Sequence, residues 1–259
     1  MINSILLYLA IVDKGDWTAI YKDVLRKRYV NETQRNEAEE LLKKSNGIKY
    51  ITLLDSDYPE CLKYIFKPPF VLFYKGNIEL LKSNNKKIAI IGSRNCSSHG
   101  KEVTRRITKE LVENNIIIIS GLAKGIDSEA HKTCIENGGK TIAVLGNGVD
   151  VFYPKENEQL YKDIIDKGGL IISEYPPNST PNGEHFPVRN RIIAGLSDGV
   201  AVIEARRKSG TMNTVSHALE NDKPVFCVPG SYSTSSGCNY LIKEGASLIE
   251  NAQDILVDI

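Results

Sequence analysis

KIAIIG at residues 87–92, KEVTRRITKELVENN at 101–115 and IIIISG at 116–121 form the stretch that decides the fold. An apolar, β-branched run ends at a glycine, an amphipathic helix-forming segment follows, and a second apolar run begins. The same unit recurs along the chain. KTIAVLG (140–146), GLIISE (169–174), GVAVIEA (199–205) and PVFCVPG (224–230) read as further strands. IDSEAHKTCIENG (126–138), NEQLYKDIIDKG (157–168) and TVSHALEND (214–222) read as the helices among them. Near-continuous apolar strands alternating with amphipathic helices are the pattern of a parallel sheet buried on both faces. The expected class is α/β, with a mostly parallel sheet and helices on both sides.

The pattern changes on the N-terminal side of Lys86. Up to Ser45 the chain reads as helices: Ile5, Leu6, Leu9 and Val12 recur at helical spacing, and EAEELLKK (37–44) is a strong helix former. Residues 46–85 carry short β-rich runs, Tyr50 to Leu53 and Phe70 to Tyr74, broken by Pro59, Pro68 and Pro69. This reads as a strand-bearing connector packed on the main domain. The expected division is a small helical N-terminal domain, 1–45, and a large α/β domain, 46–259.

Bulk properties set limits on function. The 259 residues are 41% hydrophobic and 25% charged, near the globular average, with a net charge of only +1. No arm or tail is strongly basic, so a polyanion partner requires folding to gather the cations locally. The five cysteines, Cys61, Cys96, Cys134, Cys227 and Cys238, form no CxxC pair and no His/Cys cluster. That argues against a bound metal and fits reduced thiols in a cytoplasmic protein. The opening MINSILLYLAIVDKGDW reads as a buried helix and not a signal peptide, and no apolar run approaches the roughly 20 residues needed to cross a bilayer.

Ligands of open parallel α/β sheets bind beyond the carboxyl ends of the strands. Here those ends share glycine-rich turns: Gly92-Ser93-Arg94, Ser120-Gly121 with Lys124-Gly125, Gly146-Asn147-Gly148, and Ser209-Gly210-Thr211. Free N–H groups at helix N-termini just beyond such turns suit phosphate. Arg94, Lys124, Arg206, Arg207 and Lys208 add charge at the same edge. The dinucleotide fingerprint GxGxxG and the P-loop GxxxxGK[ST] are both missing, which disfavours a tightly held NAD or ATP, and no cofactor is expected. Phe186-Pro187-Val188-Arg189-Asn190-Arg191 is the sharpest element. An aromatic on a loop beside two arginines and an amide can stack a base and hold phosphate. It can equally be a core Phe with arginines paired to Glu174 or Glu184, and the residues alone leave both readings open.

These segments resemble the DprA (Smf, DNA-processing protein A) family from Tyr58 to Leu248. The resemblance is carried by YPECLKYIFKPPFVLFYKGN, IAIIGSRNCSSHG, SGLAKGIDSEAH, TIAVLGNGVDVFYPKEN, IISEYPP, FPVRNRIIAGLS, EARRKSGTMNT and VPGSYSTSSGCNYLIKEGA, in that order. It implies a Rossmann-like domain, a homodimer, binding of single-stranded DNA, its protection and hand-over to the recombinase RecA during natural transformation, and no catalysis. It implies a DNA site made of Gly92, Ser93, Arg94, Ser120, Gly121, Lys124, Gly125, Lys155, Phe186, Arg189, Asn190, Arg191, Ser209, Gly210 and Thr211. Three departures stand out. The C-terminal winged-helix-type domain of many relatives is not expected here. The N-terminal helices lack a GxG helix-hairpin-helix signature. Val215 stands where relatives usually have Ala.

Other residues invite a catalytic reading. Asp127 and His131 share a helix face, and Glu174 and Glu204 end strands. Structural roles are expected for all four. His185, beside Phe186, is a candidate ligand contact. His99 is expected near a helix start and His217 on a helix surface. The competing function is a nucleotide-processing hydrolase resembling the lysine-decarboxylase-like phosphoribohydrolases, but their PGGxGTxxE hallmark is replaced by RKSGTMNTVSHALE (207–220). A third reading is a module that recruits RecA and binds little DNA.

Overall fold

The computed structural model describes residues 2–259. Three helices come first: α1 (Ile2–Val12), α2 (Trp17–Leu25) and α3 (Glu32–Lys44). Asp16 caps α2 by accepting from Ala19 N at 2.7 Å, and Asn31 and Gln34 form a reciprocal capping box on α3. The connector supplies β1 (Lys49–Thr52), α4 (Glu60–Lys63), β2 (Val71–Gly76) and α5 (Glu79–Lys82). The alternating region then gives β3 (Lys87–Ile91), α6 (Ser98–Glu113), β4 (Ile117–Ser120), α7 (Ile126–Glu136), β5 (Thr141–Leu145), α8 (Glu158–Asp166) and β6 (Leu170–Ser173). It closes with α9 (His185–Leu196), β7 (Gly199–Val202), α10 (Thr211–Glu220), β8 (Val225–Cys227), α11 (Tyr232–Lys243), β9 (Ser247–Leu248) and α12 (Gln253–Leu256).

All the strands join one nine-stranded sheet in the order β1-β2-β6-β5-β4-β3-β7-β8-β9. From β6 to β9 every neighbouring pair is parallel, and only β1–β2 and β2–β6 are antiparallel. The connector's two strands therefore extend the sheet itself, with Phe73 opposite Ser173.

Strand alternation sorts the core onto two faces. On one face Leu72, Ala89, Ile91, Ile117, Ile119, Ile142, Val144, Ile172, Val200, Val202 and Cys227 meet Leu62 of α4, Ile192 and Leu196 of α9, Val215 of α10 and Leu241 of α11. Val215, unusual for the family resemblance, is thus a packed core residue, 2% exposed. On the other face Ile88, Ile90, Ile118, Ala201 and Phe226 meet Ile107 and Leu111 of α6, Ala130 of α7 and Ile255 of α12. The rest of that face, with Phe73, Ala143 and Ile171, is covered by α8 and by α1–α3 through Leu6, Leu7, Leu9, Ile20 and Leu42. The buried stripe of α1 is Leu6, Leu7, Leu9 and Ala10, while Val12, read as part of it, is 43% exposed.

This topology positions the site. From β3 the chain steps outward one way through β4, β5 and β6, then returns past β3 to β7 and β8 on the other side. The reversal leaves a crevice at the carboxyl ends of β3 and β7, where open α/β sheets bind ligands. Among the described residues no helix is long and apolar enough to cross a membrane.

Candidate nucleic-acid interface

The crevice holds a cavity of about 630 Å³. Gly92, Ser93, Arg94 and Asn95 after β3 form one wall, Ala123 and Asp127 after β4 another, and Ser209, Gly210, Thr211 and Thr214 at the start of α10 a third. Phe186, Pro187, Arg189, Asn190 and Ile193 of α9 contribute from the remaining side, with Tyr153, Pro181 and Gly183. A smaller adjoining cavity of about 160 Å³ lies beyond Arg94, Tyr153, Phe186 and Arg189, bounded by Gly121 to Lys124, Gly146, Asn147 and Pro154.

Arg94 is exposed, and its guanidinium lies 5.5 Å from the centre of the Phe186 ring. The Tyr153 ring stacks on Phe186 with centroids 5.5 Å apart and 27° between planes. Phe186 was read on a loop but belongs to the first turn of α9, which starts at His185 and tolerates Pro187 because first-turn N–H groups have no intrahelical partner.

Arg189 is a cation built into the floor. It is 4% exposed, and its guanidinium donates to the carbonyls of Gly121, at 3.0 Å, and Val144. Burial pulls its pKa down to about 10, with Arg94 adding to the effect and Asp127 opposing it, so it stays charged at neutral pH. Gly121 leaves room for it: a Cβ there would fall 2.6 Å from the guanidinium and force it to shift. Asp127, 7% exposed, accepts from Gly121 N at 3.1 Å; burial raises its pKa against the pull of Arg189. Among the described residues Ser209 Oγ is buried with no hydrogen-bond partner, while Asn190 Nδ2 donates to Asn213 Oδ1 at 3.2 Å.

The expected residues divide. Gly92, Ser93, Arg94, Phe186, Arg189, Asn190, Ser209, Gly210 and Thr211 share the large cavity, and Gly121 and Lys124 border the small one. Ser120, Gly125, Lys155 and Arg191 line neither. Ser120 is fully buried and donates to Ile90 O at 2.6 Å. Gly125, at φ +80°, precedes α7. Lys155 is exposed in a single 3-10 turn, Lys155–Asn157, whose Glu156 pairs with Lys124. Arg191 is turned into the protein. Its guanidinium makes a bidentate pair with Glu174, both contacts at 2.6 Å, and also donates to Lys67 O at 2.9 Å and Val188 O at 2.8 Å. Arg94, Lys124, Phe186 and Arg189 therefore converge as expected, while Arg191 takes the alternative, structural reading. Tyr153 and Asn95 were missed. Tyr153 lies two residues before Lys155 in YPKEN, where only the lysine was read as a contact.

The tempting acid–base groups sit in structural surroundings, although among the described residues His131 Nε2 is buried without a hydrogen-bond partner. His131 is fully buried, its Nδ1 2.7 Å from Thr141 Oγ1, and burial lowers its pKa to about 3, so it is neutral. Glu204 accepts from the N–H and hydroxyl of Ser97, which caps α6. His185 stacks on Tyr175 at 3.9 Å, and His217 pairs with Glu220 on the surface of α10. Exposed His99 lies in the first turn of α6. Among the described residues no group of three or more His, Cys, Asp or Glu could hold a metal, and the five cysteines are free.

Comparison with known proteins gives these residues a lineage. The sequence model of DNA recombination-mediator protein A matches residues 49–259. The chain belongs to that family. It is 49% identical over 209 residues to the DNA processing protein DprA of Streptococcus pneumoniae, covering 80% of this chain and 73% of that protein. The DprA of Bacillus subtilis is 43% identical over 218 residues, covering 83% of this chain and 73% of that one. Among solved structures, DprA of S. pneumoniae superposes with a TM-score of 0.83 at 38% identity, covering 99% of this chain and 98% of that one. DprA of Helicobacter pylori, whose structure concerns its single-stranded DNA binding mode, gives a TM-score of 0.73 at 33% identity, covering 81% of this chain and 94% of that one.

Proposed function

We propose that this protein binds single-stranded DNA at the carboxyl edge of its sheet and serves as a recombination mediator. The observation that carries the reading is the Arg94–Phe186 pair above the Arg189 floor of the large cavity. Exposed and buried cations beside aromatic faces are what a single strand needs: charge for its phosphates, rings for its unpaired bases. The DNA contacts are Gly92, Ser93, Arg94, Gly121, Lys124, Phe186, Arg189, Asn190, Ser209, Gly210 and Thr211. Arg191, Ser120 and Gly125 hold the loops that present them, and Lys155 reaches phosphate from the outer turn. The protein is a binder and not a catalyst, a reading supported by Glu174 and Glu204 being engaged with Arg191 and Ser97. Its family supports further proposals: cytoplasmic action as a homodimer that shields incoming strands and loads RecA on them. The test is a gel-shift comparison of one oligonucleotide, single-stranded and as duplex. The single strand binds and the duplex binds poorly, since paired bases are not free to stack. Equal affinity for both, or release of free base from nucleoside monophosphates, overturns the reading.

A further inference from the structure

The surface beside the large cavity continues past its rim. Pro187 lines the cavity, and the next residue, Val188, is 42% exposed. Arg191, one turn further along α9, donates to Val188 O at 2.8 Å and to Lys67 O at 2.9 Å, so the connector is held against the start of that helix. Lys67 has a φ of +56° directly before Pro68, a conformation that a lysine keeps only where its surroundings enforce it. This turn leaves Phe66 67% exposed. It also sets Lys67 Nζ over two rings, 5.4 Å from the centre of Phe66 and 5.5 Å from that of Trp17.

Trp17 carries this surface on to the N-terminal helices. Its Nε1 donates to Pro68 O at 2.8 Å, and its ring stacks on the exposed Tyr21 of α2 with centroids 4.8 Å apart. The end of α2 passes into Arg26 and Lys27, both exposed. Among the described residues Lys67, Arg26 and Lys27 form no ion pair, whereas the nearby acids are engaged. Asp16 caps α2, Asp23 pairs with Arg28, and Glu60 pairs with Lys63. The strip therefore offers aromatic faces and uncompensated positive charge in a line that starts at the cavity. A protein partner covering it with apolar side chains would bury the Lys67 cation unpaired, which is costly. A single strand brings phosphates for the cations and unpaired bases for the rings.

We propose that a bound single strand leaves the large cavity past Val188 and continues over Phe66, Lys67 and Tyr21, so that the N-terminal helices take part in holding DNA. The inference rests on the single-stranded DNA reading above and extends the strand's path beyond the cavity. One base stacks on Phe66, and one phosphate meets Lys67.

The test is fluorescence anisotropy with labelled thymidine strands from about 4 to about 16 nucleotides long, the span of single-strand site sizes. Wild-type affinity rises with length. Phe66→Ala removes affinity only from the longer strands, roughly 5- to 150-fold, the range for one lost stacked base. Phe66→Tyr keeps wild-type affinity, while Phe66→Leu, which keeps bulk without a π face, behaves like Phe66→Ala. On a long strand of abasic tetrahydrofuran units Phe66→Ala has no effect. Lys67→Gln makes the log–log salt slope on the longest strand shallower by about 0.7, one contact, and leaves the slope on the shortest strand unchanged. Full affinity of Phe66→Ala for the longest strand overturns the proposal and leaves the strip to a protein partner. An equal loss at every length overturns it too. Wild-type protein that binds no strand of any length overturns the single-stranded DNA reading and this path with it.

Discussion

Arg189 and Arg191 sit two positions apart on one helix and do different work. Arg189 turns its guanidinium to the cavity floor, and Arg191 spends every contact on Glu174 and two backbone carbonyls. Breaking a buried ion pair from one side strands the other charge, at a cost of about 3–5 kcal/mol. Arg191→Ala should therefore destabilise the fold by that order in urea unfolding. A loss under about 1 kcal/mol, the scale of an exposed pair, would contradict the structural role. His131 makes a pH-dependent contribution. Its folded pKa, about 3, lies below the unfolded value near 6.5, so the unfolded chain binds the extra proton in that window. Stability should be fully present above pH 6.5 and fall as pH drops toward 3. His131→Gln should flatten that fall in thermal melts taken across the window, and an unchanged pH profile would count against a buried neutral imidazole. Residue-level reading of the sequence identified the arginines but could not orient them, because both positions follow the same motif and only the packed neighbours separate them.

At the scale of elements, the parallel strands were legible because each is buried on both faces and so reads as an unbroken apolar run. The connector strands were visible from their β-branched and aromatic residues, but not their place at the sheet edge, which a pairing partner decides. The stretch YSTSSGCNYLIK (232–243) forms α11 despite poor helix propensity, with a non-helical Ser235 inside it. Tertiary contacts hold it: Gly237 N donates to Ala205 O at 2.8 Å, and Arg206 Nε donates to Ser233 O at 3.1 Å. The two-residue β9 carries too little pattern to be read at all. A Cβ on Gly237 would fall 2.8 Å from the backbone of Ala205 and Arg206, which cannot move aside as a side-chain tip can. Gly237→Ala should push α11 away from the basic 206–208 turn and cost about 1–3 kcal/mol by overpacking, measured by denaturant midpoint. A neutral substitution would show that this contact has slack.

For the molecule as a whole, the net charge of +1 gives no hint of a polyanion partner. Folding changes the distribution. Arg94, Lys124 and Arg189, up to 95 positions apart in sequence, meet at the two adjoining cavities, and the exposed Arg206, Arg207 and Lys208 run up to Ser209 at the rim. The site composition was largely legible from the rule that strand-end loops share an edge. Tyr153 was not, because its importance comes from stacking on a residue 33 positions away. The central claim is that these converged cations neutralise DNA phosphates. Its most direct measurement is the dependence of single-strand affinity on salt concentration, for wild type and Arg94→Ala. With three to four phosphates neutralised, the log–log slope should be about −2 to −3, and Arg94→Ala should make it shallower by about 0.7, one contact. A wild-type slope near zero, or an Arg94→Ala slope equal to the wild-type value, would contradict the account.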